Sequence, residues 1–200
     1  GGASGFSPEI YTQNSDGTFT LINLKYWKNE SNYEDVDAIF VDINGNGYQD
    51  LYVVSGGNEY PINNINYTDR IYLNDGKGNF TKGDILNNNR GSGSIVKASD
   101  YDNDGDIDLF VGGRHVPHQY PLPATSMLLI NDNGQLINKT QEFALELEDV
   151  GMITDAIWSD YDNDGQIDLA LVGEWMPITF LKNEKGYLQK KNLVGLEDSS

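Results

Sequence analysis

The 200-residue chain contains no cysteine, so disulfides and thiolate metal sites are excluded and the redox compartment stays open. Basic residues are scarce. Thirteen Lys and Arg face 31 Asp and Glu, a formal net charge of −18. That balance opposes nucleic acid and anionic membrane surfaces, whose phosphates must be met by Lys and Arg, and it suits a cation. No apolar run reaches the ~18 residues of a membrane-crossing helix. No signal-peptide pattern opens the chain. No nucleophile elbow, HExxH or phosphate-cradling glycine loop is present, so catalysis has little footing. What is abundant is turn chemistry: 22 Gly and many Asn accompany 38% apolar residues, the mark of a globular, turn-rich, all-β chain.

The acidic residues are not spread evenly. "DYDNDGDIDLFVGG" at 100–113 places five aspartates in nine positions, directly before an apolar run. Related stretches are "DINGNGYQDLYVVSGG" from Asp42 and "DYDNDGQIDLALVGE" from Asp160, at spacings of 58 and 60 residues. The surroundings repeat as well. Short apolar runs precede each copy ("DAIFVD", "SIVKASD", "DAIWSD"). A strand, an Asn/Asp/Gly turn and a second strand follow it ("RIYLNDGKGNFTK", "SMLLINDNGQLIN", "ITFLKNEKGYLQK"). Each unit therefore reads as four short antiparallel strands, the acidic loop joining the first two and the Gly-rich turn the last two. Such units at a fixed period make a β-propeller; a β-sandwich, the alternative, needs no such repeat.

The expected division is 1–23 as the second half of a preceding blade, then blades at 24–83, 84–139 and 140–200. "EIYTQNSDGTFTLIN" (9–23) matches an outer hairpin, and Gly1-Gly2 aligns with Gly56-Gly57 and Gly112-Gly113. About three and a half blades are thus expected. The chain reads as an excerpt of a larger ring, the remaining blades coming from the parent chain or from another copy.

Ca²⁺ takes six to eight oxygens at about 2.3–2.6 Å. Counting from the first Asp, positions 1, 3, 5 and 9 offer side-chain oxygens, position 6 is glycine for the sharp turn, and position 7 offers its carbonyl. The candidate ligands are Asp42, Asn44, Asn46, Tyr48 and Asp50; Asp100, Asp102, Asp104, Asp106 and Asp108; and Asp160, Asp162, Asp164, Gln166 and Asp168. The side chain of Asp106 is expected to point outward. Without His or Cys the donor set disfavours zinc and copper, and Mg²⁺ is the weaker candidate. A solvated Asx turn is the bland alternative for one loop; three corresponding copies argue against it. Three Ca²⁺ sites are expected, loop 42–50 weakest because it holds two carboxylates. Position 12 is Val53, Val111 and Leu171, which excludes an EF-hand.

These loops resemble the FG-GAP/VCBS repeats of integrin-like β-propellers. "GMITDAIWSDYDNDGQIDLALVGEWMPI" and "GGRHVPHQYPLPATSMLLINDNG" are similar to bacterial proteins of the ASPIC/UnbV and cartilage-acidic-protein group. The resemblance implies a seven-bladed ring in an exported or surface protein, calcium in the loop between a blade's first two strands, and adhesion or ligand binding rather than catalysis. The opposite loops, 56–68, 113–125 and 173–177, offer a candidate ligand face with Arg114, His115, His118, Tyr120 and Trp175. Its partner is expected to be a protein or a glycan. A carbohydrate-active enzyme propeller is the alternative function, and a regulatory calcium switch a third. Trp158 is expected in the core.

Overall fold

The computed structural model describes residues 4–85 and 90–191. The aligned Gly1-Gly2 pair lies outside them. Among the described residues are three four-stranded sheets and one two-stranded sheet, every pairing antiparallel and between strands consecutive in sequence. The two-stranded sheet is β1 (Ile10–Gln13) with β2 (Phe19–Ile22). The first full sheet is β3 (Glu34–Val41), β4 (Asp50–Gly56), β5 (Arg70–Asn74) and β6 (Phe80–Gly83). The second is β7 (Gly93–Ser99), β8 (Asp108–Gly113), β9 (Met127–Asp132) and β10 (Gln135–Asn138). The third is β11 (Met152–Ser159), β12 (Asp168–Glu174), β13 (Thr179–Glu184) and β14 (Tyr187–Lys191). Among the described residues one helical turn, α1 (Thr140–Phe143), and three short 3₁₀ turns interrupt the all-β pattern. These sheets are propeller-like blades.

The apolar content of the inner strands explains their place. Every residue of β4 and of β8 is buried, because alternate side chains serve two different interfaces. Tyr52, Val54 and Ile71 face forward and pack with Val96, Leu109, Val111 and Leu129 of the second blade. Phe110 and Leu128 face the other way and meet Ala156, Leu169, Leu171 and Leu181 of the third. Leu51, Val53 and Tyr72 form a third cluster with Leu24 and Trp27, against which Ile10 and Ile22 of the two-stranded sheet pack. Trp158 joins the interface between the second and third blades. Its indole N–H donates to the Lys97 carbonyl at 3.2 Å and its ring lies 5.7 Å from that of Tyr101.

Each first hairpin carries a β-bulge at the same place, between Asp35 and Asp37, Gly93 and Ile95, and Ile153 and Asp155. The bulge re-aims a side chain. In the first blade Asp37 uses it to accept the Val96 N–H of the next blade at 2.9 Å. The glycines that end the second strand answer to close approach. A Cβ on Gly113 would lie 2.3 Å from the Ala124 carbonyl oxygen, and one on Gly112 would lie 2.7 Å from Ile153.

Candidate metal centres on the loop edge

The three acidic loops lie at equivalent places, each leaving the first strand of a blade and ending on the first residue of the second. Position 1 organises the loop. Asp42 accepts the N–H groups of Asn46 and Gly47, Asp100 those of Asp104 and Gly105, and Asp160 those of Asp164 and Gly165. Glycine at position 6 follows from its dihedral: φ is +85°, +97° and +87° at Gly47, Gly105 and Gly165. Position 4 is left-handed too, and Asn103 and Asn163 are residues that tolerate this. Position 5 turns back on its own loop. The side-chain oxygens of Asn46, Asp104 and Asp164 accept the N–H two residues on, at 2.8, 2.8 and 2.9 Å.

Position 9 is the anchor. Asp50, Asp108 and Asp168 are 0, 0 and 1% exposed. One carboxylate oxygen of each accepts the position-2 N–H of its loop (Ile43, Tyr101, Tyr161). The other accepts the N–H of Asn74, Asn131 or Asn183 near the end of the third strand, at 2.7–2.8 Å. This carboxylate thus ties loop, second strand and third strand together.

In the second and third loops, oxygens of Asp100, Asp102 and Asp108, and of Asp160, Asp162 and Asp168, lie within 4.8 Å of one another. Two oxygens each about 2.4 Å from a shared ion stand at most about 4.8 Å apart, so this spacing and the all-oxygen donor set fit calcium. Burial pushes the Asp108 carboxyl up to about 7, and the charges of Asp102 and Asp104 add to it, against the N–H bonds from Asn131 and Tyr101. Asp102 and Asp168 are raised as well, by burial first. In the second loop burial first, and then the neighbouring carboxylates, disfavour the charged form of Asp108, which is the condition a cation relieves.

Asp104 and Asp164 fall outside these three-carboxylate groups; one oxygen of each accepts an N–H of its own loop, and the other oxygen of Asp164 faces Lys182. The first loop, with carboxylates only at Asp42 and Asp50, forms no such group. Its Asn44 accepts the Asn46 N–H, and the Asn46 amide donates to the Asn74 carbonyl. The Tyr48 ring packs over Gly76, the Gln166 side chain is half-buried, and the Asp106 carboxylate is half-buried and reaches the Asn133 N–H at 3.2 Å.

Sequence reasoning missed a second set of residues. Asn74, Asn131 and Asn183 had read as turn-formers in "LNDGKG", "INDNG" and "KNEKG". Each has a side-chain oxygen that accepts the N–H of Gly76, Gly134 or Gly186, closing the turn at 2.9 Å. Their amides reach further. Asn131 donates to the Ile43 carbonyl at 2.8 Å and Asn183 to the Tyr101 carbonyl at 3.1 Å, in both cases position 2 of the preceding blade's acidic loop. Asn74 donates instead to Gln49 within its own blade. The recurrence of Asn at one place in three hairpins was the available signal.

On the opposite edge the structure brings the candidate ligand residues into pairs. Arg114 and Glu174 form an ion pair between the second and third blades. The Trp175 indole N–H donates to the Tyr120 hydroxyl at 2.8 Å, and Trp175 remains 83% exposed. His118 donates its backbone N–H to Asn58 at 2.6 Å. His115 is half-buried, and burial, then Arg114, lowers its pKa. Neither histidine belongs to a three-residue metal-ligating group among the described residues.

The FG-GAP-like repeat matches residues 42–111 and again 100–171, each stretch running from one acidic loop into the second strand of the next blade. This chain belongs to the FG-GAP-like repeat family. Among solved structures, this FG-GAP chain is similar to a lectin from Agrocybe aegerita, described as the structural basis of specific recognition of non-reducing terminal N-acetylglucosamine. The TM-score is 0.56 at 18% identity, covering 94% of this chain and 46% of the lectin. That likeness concerns the fold, and this chain spans about half the lectin's length. No curated protein matches. Among the described residues no helix is long and apolar enough to cross a membrane.

Proposed function

We propose that this FG-GAP repeat chain is a calcium-binding propeller module that works outside the cell as a binding or adhesion unit, calcium holding its blades in shape. The observation that carries this reading is the convergence of three carboxylates in each of two loops on a buried position-9 aspartate already bonded to its own loop and to the third strand. Bound there, calcium neutralises the cage. Asp108 and Asp168 then join ion, loop and blade, so that folding and binding are linked. The first loop, with two carboxylates, is the weakest site on charge count. Further blades, from a longer parent chain or a second copy, would complete a ring of about seven.

The face that meets a partner is the opposite edge, where exposed Trp175 and Tyr120 stand beside the Arg114–Glu174 pair. An aromatic platform next to paired charges suits a glycan or a protein loop. The lectin's sugar makes terminal N-acetylglucosamine the first probe.

Thermal melting in excess chelator and in millimolar calcium tests the reading. Extracellular sites of this kind have Kd near 10⁻⁴–10⁻³ M. Tenfold excess calcium then adds about 1.4 kcal/mol per site, or about 3 kcal/mol for two sites. For a domain of this size that is a rise of roughly 6–12 °C. An unchanged melting temperature refutes it. A glycan array read with Trp175→Ala beside the parent protein tests the ligand face; turnover of a bound glycan would support the enzyme alternative instead.

A further inference from the structure

The third loop differs from the second at position 7, where Gln166 replaces Asp106, and through a side chain that lies outside both loops. Lys182 sits on β13 immediately before Asn183. The residues before the corresponding Asn74 and Asn131 are Leu73 and Ile130. The Lys182 ammonium group forms an ion pair with Asp162 and lies 2.9 Å from Asp164 Oδ2. Asp162 is one of the three carboxylates that converge in this loop. The second loop has the same four aspartates at positions 1, 3, 5 and 9 but an isoleucine where the lysine stands.

We propose that Lys182 is a tethered counter-ion that holds loop 160–168 in shape without calcium and makes it fill after loop 100–108. The inference rests on the calcium reading above. Two effects act in the same direction. Asp162 must give up or share its ammonium partner before it can ligate, and any ion in the cage is repelled by a positive charge one side chain away. Neither applies at Ile130. Carboxylate number alone would rank the second and third loops as near equals. The lysine separates them and leaves the third blade less dependent on the metal. Surface ion pairs are individually weak, and two of them acting on one site correspond to about a three- to tenfold loss of affinity.

The test is a calcium chloride titration of the ¹⁵N-labelled full chain, followed at the amides of Gly105 and Gly165. Each donates to the first aspartate of its own loop and so reports that loop separately. The expected result is that the Gly165 midpoint lies about three- to tenfold above that of Gly105. Lys182→Leu should lower the Gly165 midpoint by about that factor and leave Gly105 in place. Lys182→Arg, which keeps the charge, should leave both midpoints as they are. In chelator, Lys182→Leu should melt below the parent protein and Lys182→Arg should not. A merely structural lysine would lower stability on removal but would not raise calcium affinity. A Gly165 midpoint that is unmoved or raised in Lys182→Leu overturns the proposal while leaving the calcium reading intact. A Gly105 amide that never responds to calcium overturns both.

Discussion

Asn131→Ala removes the link between neighbouring blades while the backbone N–H that anchors Asp108 survives the change. Three side-chain bonds disappear: the amide to the Ile43 carbonyl at 2.8 Å, the same amide to Ile107 at 3.3 Å, and the acceptor for the Gly134 N–H at 2.9 Å. Asn131 is 1% exposed, so water does not readily replace them. Buried bonds contribute about 0.5–1.5 kcal/mol each, and a partner left unsatisfied adds more. The expected cost is roughly 3 kcal/mol, a large share of the ~5–15 kcal/mol that holds a domain together. Urea unfolding with calcium present should show the midpoint falling without a change in slope, and thermal melting should fall by about 6–12 °C. Asn133→Gly is the control. It alters the same turn, at an exposed residue whose φ of +51° suits glycine, and should stay within about 0.5 kcal/mol. A loss below about 1 kcal/mol in Asn131→Ala would mean that the amide only closes its own hairpin and that the reach to Ile43 contributes nothing.

Burial pushes the Asp69 carboxyl up to about 6, against the hydrogen bonds it accepts from the Ser55 N–H and the Tyr52 hydroxyl. With the folded value above the unfolded one, the stabilisation is fully present below about pH 4 and is lost as pH rises through about 6. It is worth up to about 3 kcal/mol. Melting in chelator from pH 4.5 to 7 should therefore fall more steeply in the parent protein than in Asp69→Asn; parallel curves would contradict the assignment. Gly113→Ala puts a methyl group against the Ala124 carbonyl and should cost about 1–3 kcal/mol in melting experiments; an unshifted transition would show that the 113–125 loop yields freely.

The blade pattern was legible because three copies of one apolar run leave few other ways to bury it. The acidic loops were legible because Asp at positions 1, 3 and 9 and Gly at 6 answer to local geometry: a turn with positive φ and oxygens converging after it. What could not be read is what depends on partners distant in sequence. Asn131 and Asn183 looked like ordinary turn residues, since nothing in "INDNG" or "KNEKG" says that the amide reaches another blade. Nor does the latter stretch say that Lys182 lies over Asp162 and Asp164. Positions 5 and 9 had been given the same role, yet Asp104 turns back to the Asp106 N–H while Asp108 is buried between two strands. The ligand face was named from loop placement alone, and the Trp175–Tyr120 and Arg114–Glu174 pairings could come only from the fold.

The asparagine amides also impose an order in time. The partners Ile43 and Asn131 are 88 residues apart, and Tyr101 and Asn183 are 82. During synthesis the earlier loop emerges first and waits for the residue that closes it. At roughly 5–20 residues per second the interval is about 4–18 s. For that period the earlier acidic loop has its own glycine turn but no bond from the next blade. The growing chain is secured from behind, each blade completed by the one made after it.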